Sequence, residues 1–121
     1  MVQLLTDFTA AWNAHDLDAL MRFMTDDCVF DTSAGPHPFG QRYEGREAVR
    51  RGYAAIWQTF PDARWNDAKH FLDGDRGVSY WTFTGTKTDG TRVEACGCDL
   101  FQFKDGRIRV KDSYRKNVVL A

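Results

Sequence analysis

The dipeptide Asp-Gly occurs three times in the second half of the chain, at Asp73-Gly74, Asp89-Gly90 and Asp105-Gly106, each time between segments that alternate apolar and polar residues. Asp and Gly both tolerate positive φ, so Asp-Gly between period-two segments is a strong short-range signal for a β-hairpin. The three turns predict four strands in a meander, near residues 63–72, 76–88, 91–104 and 107–116. The first half has a different period. Leu4, Leu5, Phe8, Ala11 and Trp12 recur at helical spacing and predict a helix over 2–14. Asp16 is a good N-cap for a second helix carrying Leu17, Leu20, Met21 and Met24. Cys28 to Asp31 has the character of a short strand, and the Gly/Pro-rich residues 32–45 that of a loop. A third helix presents Val49, Tyr53, Ile56, Trp57 and Phe60 on one face and ends before Pro61. Helices followed by a meander predict an α+β domain spanning 1–121, with three N-terminal helices closing one face of a curved antiparallel sheet.

Composition narrows the partners. A hydrophobic content of 43% with 14% aromatics supplies a core for one domain of 121 residues. Sixteen basic residues stand against 17 acidic ones, a net charge of −1. That leaves no basic excess of the kind nucleic acid or an anionic membrane selects, so neither is expected as a partner. No apolar run reaches the roughly 18 residues of a membrane span, and the N-terminus lacks a signal-peptide pattern, so a cytoplasmic location is expected. Three cysteines cannot close a disulfide framework. Cys96 and Cys98 have no second pair at zinc-ligand spacing, so buried thiols are the expectation, with no metal and no cofactor.

The turns also make a statement about register, because a two-residue loop fixes which residues face each other. A two-residue Asp105-Gly106 turn places Phe103 opposite Ile108, Phe101 opposite Val110, and Asp99 opposite Asp112. The other face then carries Arg107, Arg109, Lys111, Ser113 and Arg115 and is expected to be solvated. The same logic at Asp89-Gly90 places Val78 opposite Phe101, Tyr80 opposite Asp99, and Thr82 opposite Gly97. One row of the sheet becomes Tyr80, Asp99, Asp112. Gly97 leaves a gap beside it, where a ligand approaches or the strand bulges. Opposed carboxylates with Cβ atoms about 4.5–5.5 Å apart share one proton near neutrality, and a neutral carboxylic acid in a dry pocket can donate to an oxyanion. Against this stands the plain alternative that a buried Asp bonds a backbone amide or a Tyr hydroxyl. A bulge would also shift the register and separate the pair.

The segments Trp12-Asn13-Ala14-His15-Asp16, Tyr43-Glu44-Gly45-Arg46-Glu47-Ala48-Val49 and Asp99-Leu100-Phe101-Gln102-Phe103-Lys104-Asp105-Gly106-Arg107-Ile108 resemble SnoaL-like proteins of the nuclear transport factor 2-like superfamily, which includes ketosteroid isomerases and polyketide cyclases. The resemblance covers nearly the whole chain. It implies a cone in which helices close a curved sheet, a ligand entering at the open end, and a homodimer formed through the outer sheet face. It also implies roles residue by residue. Asp31 falls where the isomerases carry their catalytic base, and Asp99 where they carry the acid that donates to the steroid oxyanion. The isomerase tyrosine of the first helix falls at Phe8, which cannot donate, leaving Tyr80 or Tyr53 to replace it. Gly97 stands where the epoxide-hydrolase branch needs Arg, which ranks that chemistry lower.

The expectation is a cofactor-independent enzyme that moves a proton next to the carbonyl of a small hydrophobic compound, with Asp31, Asp99 and Asp112 as the catalytic acids and bases. Tyr80, Tyr53, Trp12, Trp57, Phe8 and Phe101 would bind substrate, and His37 would contact it at the cone mouth. The alternative from another class is a non-catalytic domain of the same fold that binds a small ligand or an assembly partner. The two differ in one respect: the enzyme needs Asp31 to face the same cavity as Asp99.

Overall fold

Residues 2–119 are described by a computed structural model. The N-terminal half forms α1 (Val2–Asn13), α2 (Leu17–Arg22), β1 (Met24–Asp31), β2 (Arg42–Glu44) and α3 (Arg46–Thr59). The remainder forms β3 (Arg64–Asp73), β4 (Arg76–Thr86), β5 (Arg92–Lys104) and β6 (Arg107–Arg115). The apolar stripe of α1 buries Leu5, Phe8, Ala11 and Trp12. Asn13, in the last turn of that helix, is bonded to the backbone of Trp65 in both directions, at 2.9 and 2.8 Å, which ties α1 to β3. Asp16 caps α2 by accepting from the Ala19 amide at 3.1 Å, as its position predicts. Arg46, at the start of α3, donates to the carbonyls of Met24 and Met21, so one guanidinium joins α3, α2 and β1.

The sheet is six-stranded and open, in the order β2-β1-β6-β5-β4-β3. The meander is present, but the sheet is mixed: β1 lies parallel to β6, with Phe30 beside Lys111 and Asp31 beside Asp112. The helices cover the concave face and enclose a core of Leu5, Phe8, Leu20, Met24, Phe30, Tyr53, Phe101 and Ile108. Each such side chain fully withdrawn from water contributes about 1.5–3 kcal/mol. Met24 belongs to β1 rather than α2, and the 32–45 segment contains the short edge strand β2.

Two irregularities reset the register. The Asp105-Gly106 turn is the two-residue loop its sequence specifies, with φ of 54° and 74° and Lys104 opposite Arg107. Phe103 pairs with Ile108 as expected, but Gln102 then pairs with Val110, which leaves Arg109 as the extra residue of a β-bulge. From there Phe101 faces Lys111, Leu100 faces Asp112, and Asp99 faces Ser113. The Asp89-Gly90 turn is wider than expected: the last ladder pair is Thr86 with Arg92, and a five-residue loop follows, closed by the Lys87 amide donating to Thr91 at 2.8 Å. Ser79 therefore faces Asp99, Tyr80 faces Cys98, and Trp81 faces Gly97. Each shift moves a strand by one residue and sends its side chains to the opposite face. The expected Tyr80–Asp99–Asp112 row does not form.

Candidate functional site

The bulge at Arg109 decides what the concave face carries. Lys111, Ser113 and Arg115, expected on a solvated face, point inward, and Lys111 is only 3% exposed. Its Nζ lies 3.1 Å from Asp99 Oδ1 and donates to Ser113 Oγ at 2.8 Å. Ser113 in turn donates its hydroxyl to Asp99 Oδ1 at 2.6 Å, and the Trp81 indole donates to Asp99 Oδ2 at 2.9 Å. The ammonium also sits over the rings of Phe30, Trp12 and Tyr53, with centroids at 4.7, 5.1 and 5.8 Å. Three aromatic faces and one carboxylate hold a cation almost free of water. Across the sheet, His70, Ser79, Asp99 and Ser113 form one transverse row over four strands. His70 Nδ1 and Ser79 Oγ are 2.7 Å apart, and burial pushes the His70 pKa down.

Above this floor opens a cavity of about 280 Å³, bounded by Phe30, Trp65, Trp81 and Phe83 on the sheet, by Ile56 and Thr59 of α3, and by the 32–34 loop. Lys111, Ser113 and Arg115 provide its charged and polar surface along β6. The volume suits a small organic ligand. Arg115 lies over the rings of Phe83 and Phe60 at 4.8 and 5.7 Å.

The expected site residues divide between the two faces. Asp99 is 5% exposed and lies behind the cavity floor, held by Trp81, Ser113 and Lys111. Asp31 is equally buried but lies on the outer side, gripped by both Arg42 nitrogens at 2.8 and 2.9 Å, because its neighbour Phe30 takes the inward position. Asp31 and Asp99 therefore do not share a cavity. Asp112 also belongs to the outer side, opposite Leu100 and beside Asp31. Burial raises its carboxyl pKa, the 3.2 Å bond from Tyr114 opposes that, and the negative charges of Asp31 and Asp99 add to it. The shared-proton pair of Asp99 and Asp112 is thus replaced by an ion pair of Asp99 with Lys111.

Tyr80 is half exposed on the outer face, away from Asp99. Tyr53 is fully buried behind Lys111, donating to the Met24 sulfur at 3.4 Å, and burial pushes its phenol well above the ordinary value. Trp12, Phe8 and Phe101 are core residues, and they surround the Asp99–Lys111 pair from below the cavity rather than line it. Trp57 stacks on His15, whose Nε2 is 2.8 Å from the Ala63 carbonyl oxygen. His37 stacks on Phe39 within its own loop, and the loop residues at the cavity are Thr32, Ser33 and Ala34. On the concave side Gly97 opens no gap, since the Trp81 ring fills the space above it, whereas on the outer face it lines a hollow with Tyr80, Cys96, Cys98 and Tyr114. Cys28 is buried, whereas Cys96 and Cys98 are partly exposed on the outer face. Among the described residues no cluster of His, Cys, Asp and Glu fits a metal ion, and no helix is long and apolar enough to cross a membrane.

Lys111, Ser113 and Arg115 are the functional candidates that sequence reasoning assigned to the wrong face. Their period-two spacing was visible, but their inward direction depends on the bulge. Comparison with known proteins agrees with the fold. The SnoaL-like domain profile matches residues 5–110. No functionally curated protein matches at a significant level. Among solved structures, a candidate polyketide cyclase from Xanthomonas campestris superposes with a TM-score of 0.82 at 21% identity, covering 94% of this chain and 88% of that one. An NTF2-like protein of unknown function from Mesorhizobium loti gives 0.76 at 30% identity over 95% and 89%. A protein of ketosteroid isomerase-like fold from Catenulispora acidiphila, in complex with trimethylamine, gives 0.80 at 19% over 92% and 83%.

Proposed function

The chain belongs to the SnoaL-like domain family, and we propose that its concave cavity is the active site of a cofactor-independent cyclase- or isomerase-type enzyme acting on a small hydrophobic carbonyl compound. The Lys111–Asp99 pair carries this reading. Taking two charges out of water costs several kcal/mol per ion, so a nearly dry pair at the floor of an open cavity is placed where chemistry can use it. Lys111 is the group that meets the substrate carbonyl oxygen and stabilises the enolate that develops there. Asp99 is the proton acceptor, reached from the cavity through the Ser113 hydroxyl, which donates to Asp99 as it takes the substrate proton. Asp31 has no part in this scheme, because its carboxylate is committed to Arg42 on the other side of the sheet.

One observation favours a second reading, a ligand-binding domain without catalysis. Asp99 accepts from three protein donors, which leave little of its carboxylate open to a substrate. Deuterium exchange separates the two. Enolisable cyclic ketones such as tetralones are incubated with the protein in D2O, and loss of the α-proton signal is followed by NMR. The enzyme reading expects catalysed exchange, reduced about 10²–10⁴-fold in Asp99→Asn and retained in Asp31→Asn. Ligand-induced shifts with no exchange for any ketone would establish the binding domain instead.

The outer sheet face supports a homodimer. Phe71, Tyr80, Leu100 and Tyr114 are exposed there, on β3 to β6.

A further inference from the structure

The charge lining the cavity is of one sign. Lys111 and Arg115 border it, and no acidic side chain does. Asp99 meets the Lys111 charge from behind the floor. Arg115 has no such partner: among the described residues no carboxylate lies within ion-pair distance of its guanidinium. It rests instead on Phe83 and Phe60, and burial alone acts on its pKa, lowering it. A partly desolvated cation without a counter-ion is an unfavourable arrangement. A guanidinium stacked on apolar rings is held in one plane while its N–H edge stays free, the geometry that receives a carboxylate through two parallel hydrogen bonds.

We infer that the ligand of this cavity is a hydrophobic carboxylate, whose anionic group docks on Arg115 and whose carbon skeleton lies among Phe60, Phe83, Trp65 and Trp81. The inference rests on the preceding reading of the cavity as the active site and deepens it. Lys111, Ser113 and Arg115 alternate along β6, so Arg115 stands four residues, about 13 Å of strand, from Lys111. A substrate with its carbonyl at Lys111 and its carboxylate at Arg115 is then an oxo acid with an apolar middle.

The test compares 2-naphthoate with 2-naphthamide, which share shape and differ in charge, by calorimetry at neutral pH. The Trp81 indole N–H resonance reports whether the cavity is filled. Naphthoate is expected to bind at least about tenfold more tightly than the amide, and added salt should weaken naphthoate alone. In Arg115→Gln the preference should fall to within about twofold, and in Arg115→Lys, which keeps the charge but loses the planar fork, it should be intermediate. The wild-type comparison needs no variant, so a poorly folded Arg115→Gln would not obscure the result. Equal binding of both probes with equal Trp81 shifts would overturn the anion inference and leave the active-site reading standing. No Trp81 shift with either probe would remove both.

Discussion

Replacing Lys111 by Met tests whether the ion pair is as dry as the fold requires. The two side chains are 4% and 7% exposed, Lys111 the drier. Removing one partner of a buried pair costs about 3–5 kcal/mol, because the other charge is left uncompensated. Asp99 would keep the Trp81 indole at 2.9 Å and the Ser113 hydroxyl at 2.6 Å, two donors to a charged acceptor. The cost should therefore fall near the lower end, about 3 kcal/mol. For a chain of this length that corresponds to a Tm lower by roughly 10–15 °C. Urea denaturation at neutral pH, followed by tryptophan fluorescence, measures the change as a shift in midpoint at constant slope. A companion Asp99→Leu variant and the double variant complete a cycle. The second substitution should add little once the first is made, giving a coupling of roughly 3 kcal/mol. If Lys111→Met lies within about 1 kcal/mol of the parent, far less than a stranded charge would cost, the pair is solvated and the argument for an activated floor is refuted.

Three further expectations follow from other parts of the fold. Burial lowers the His70 pKa below the ordinary 6.5, so the unfolded chain binds the proton more readily. Stability should be complete above about pH 6.5 and fall as the pH drops through the lowered folded value. Titration of a His70→Gln variant should lose that limb of the stability profile, and an unchanged profile would mean His70 does not contribute to it. At Gly97 a methyl group would meet the Trp81 ring at 2.6 Å and the Tyr114 carbonyl oxygen at 2.4 Å. Gly97→Ala should thus cost about 1–3 kcal/mol and displace the indole from Asp99, seen as a moved Trp81 N–H resonance. For the outer face, light scattering at micromolar concentration should give twice the 13.9 kDa chain mass, and a monomer would discount the pairing surface.

Fold and site differ in how far the sequence reveals them. Helix periodicity, the Asp16 cap and the Asp-Gly turns are local signals, and the elements built on them formed where expected. The inward aromatic set, Phe8, Trp12, Tyr53 and Phe101, was equally legible, because burial follows from the 3.6 and 2.0 periods. Register was not. Assigning Asp99 its neighbours required counting residues through the Asp89-Gly90 loop and along β6, and a single miscount in each reversed the result. The five-residue loop is closed by a cross-loop bond between Lys87 and Thr91, and the bulge leaves one residue of β6, Arg109, without a partner on β5. Neither leaves a composition signature. Asp31 fails for a related reason: the strand alternation that buries Phe30 turns Asp31 outward, and Arg42, whose position on β2 was not expected, captures it.

The bulge at Arg109 has a meaning beyond geometry. Strand β6 holds two alternating sets of side chains, Lys111, Ser113 and Arg115 in one and Val110, Asp112 and Tyr114 in the other. The extra residue chooses which set becomes the lining of the cavity. Were Arg109 paired in regular register instead, the same residues would give an acidic and phenolic interior in place of the basic one, so a one-residue slip of β6, with no amino acid changed, separates two opposite pocket chemistries.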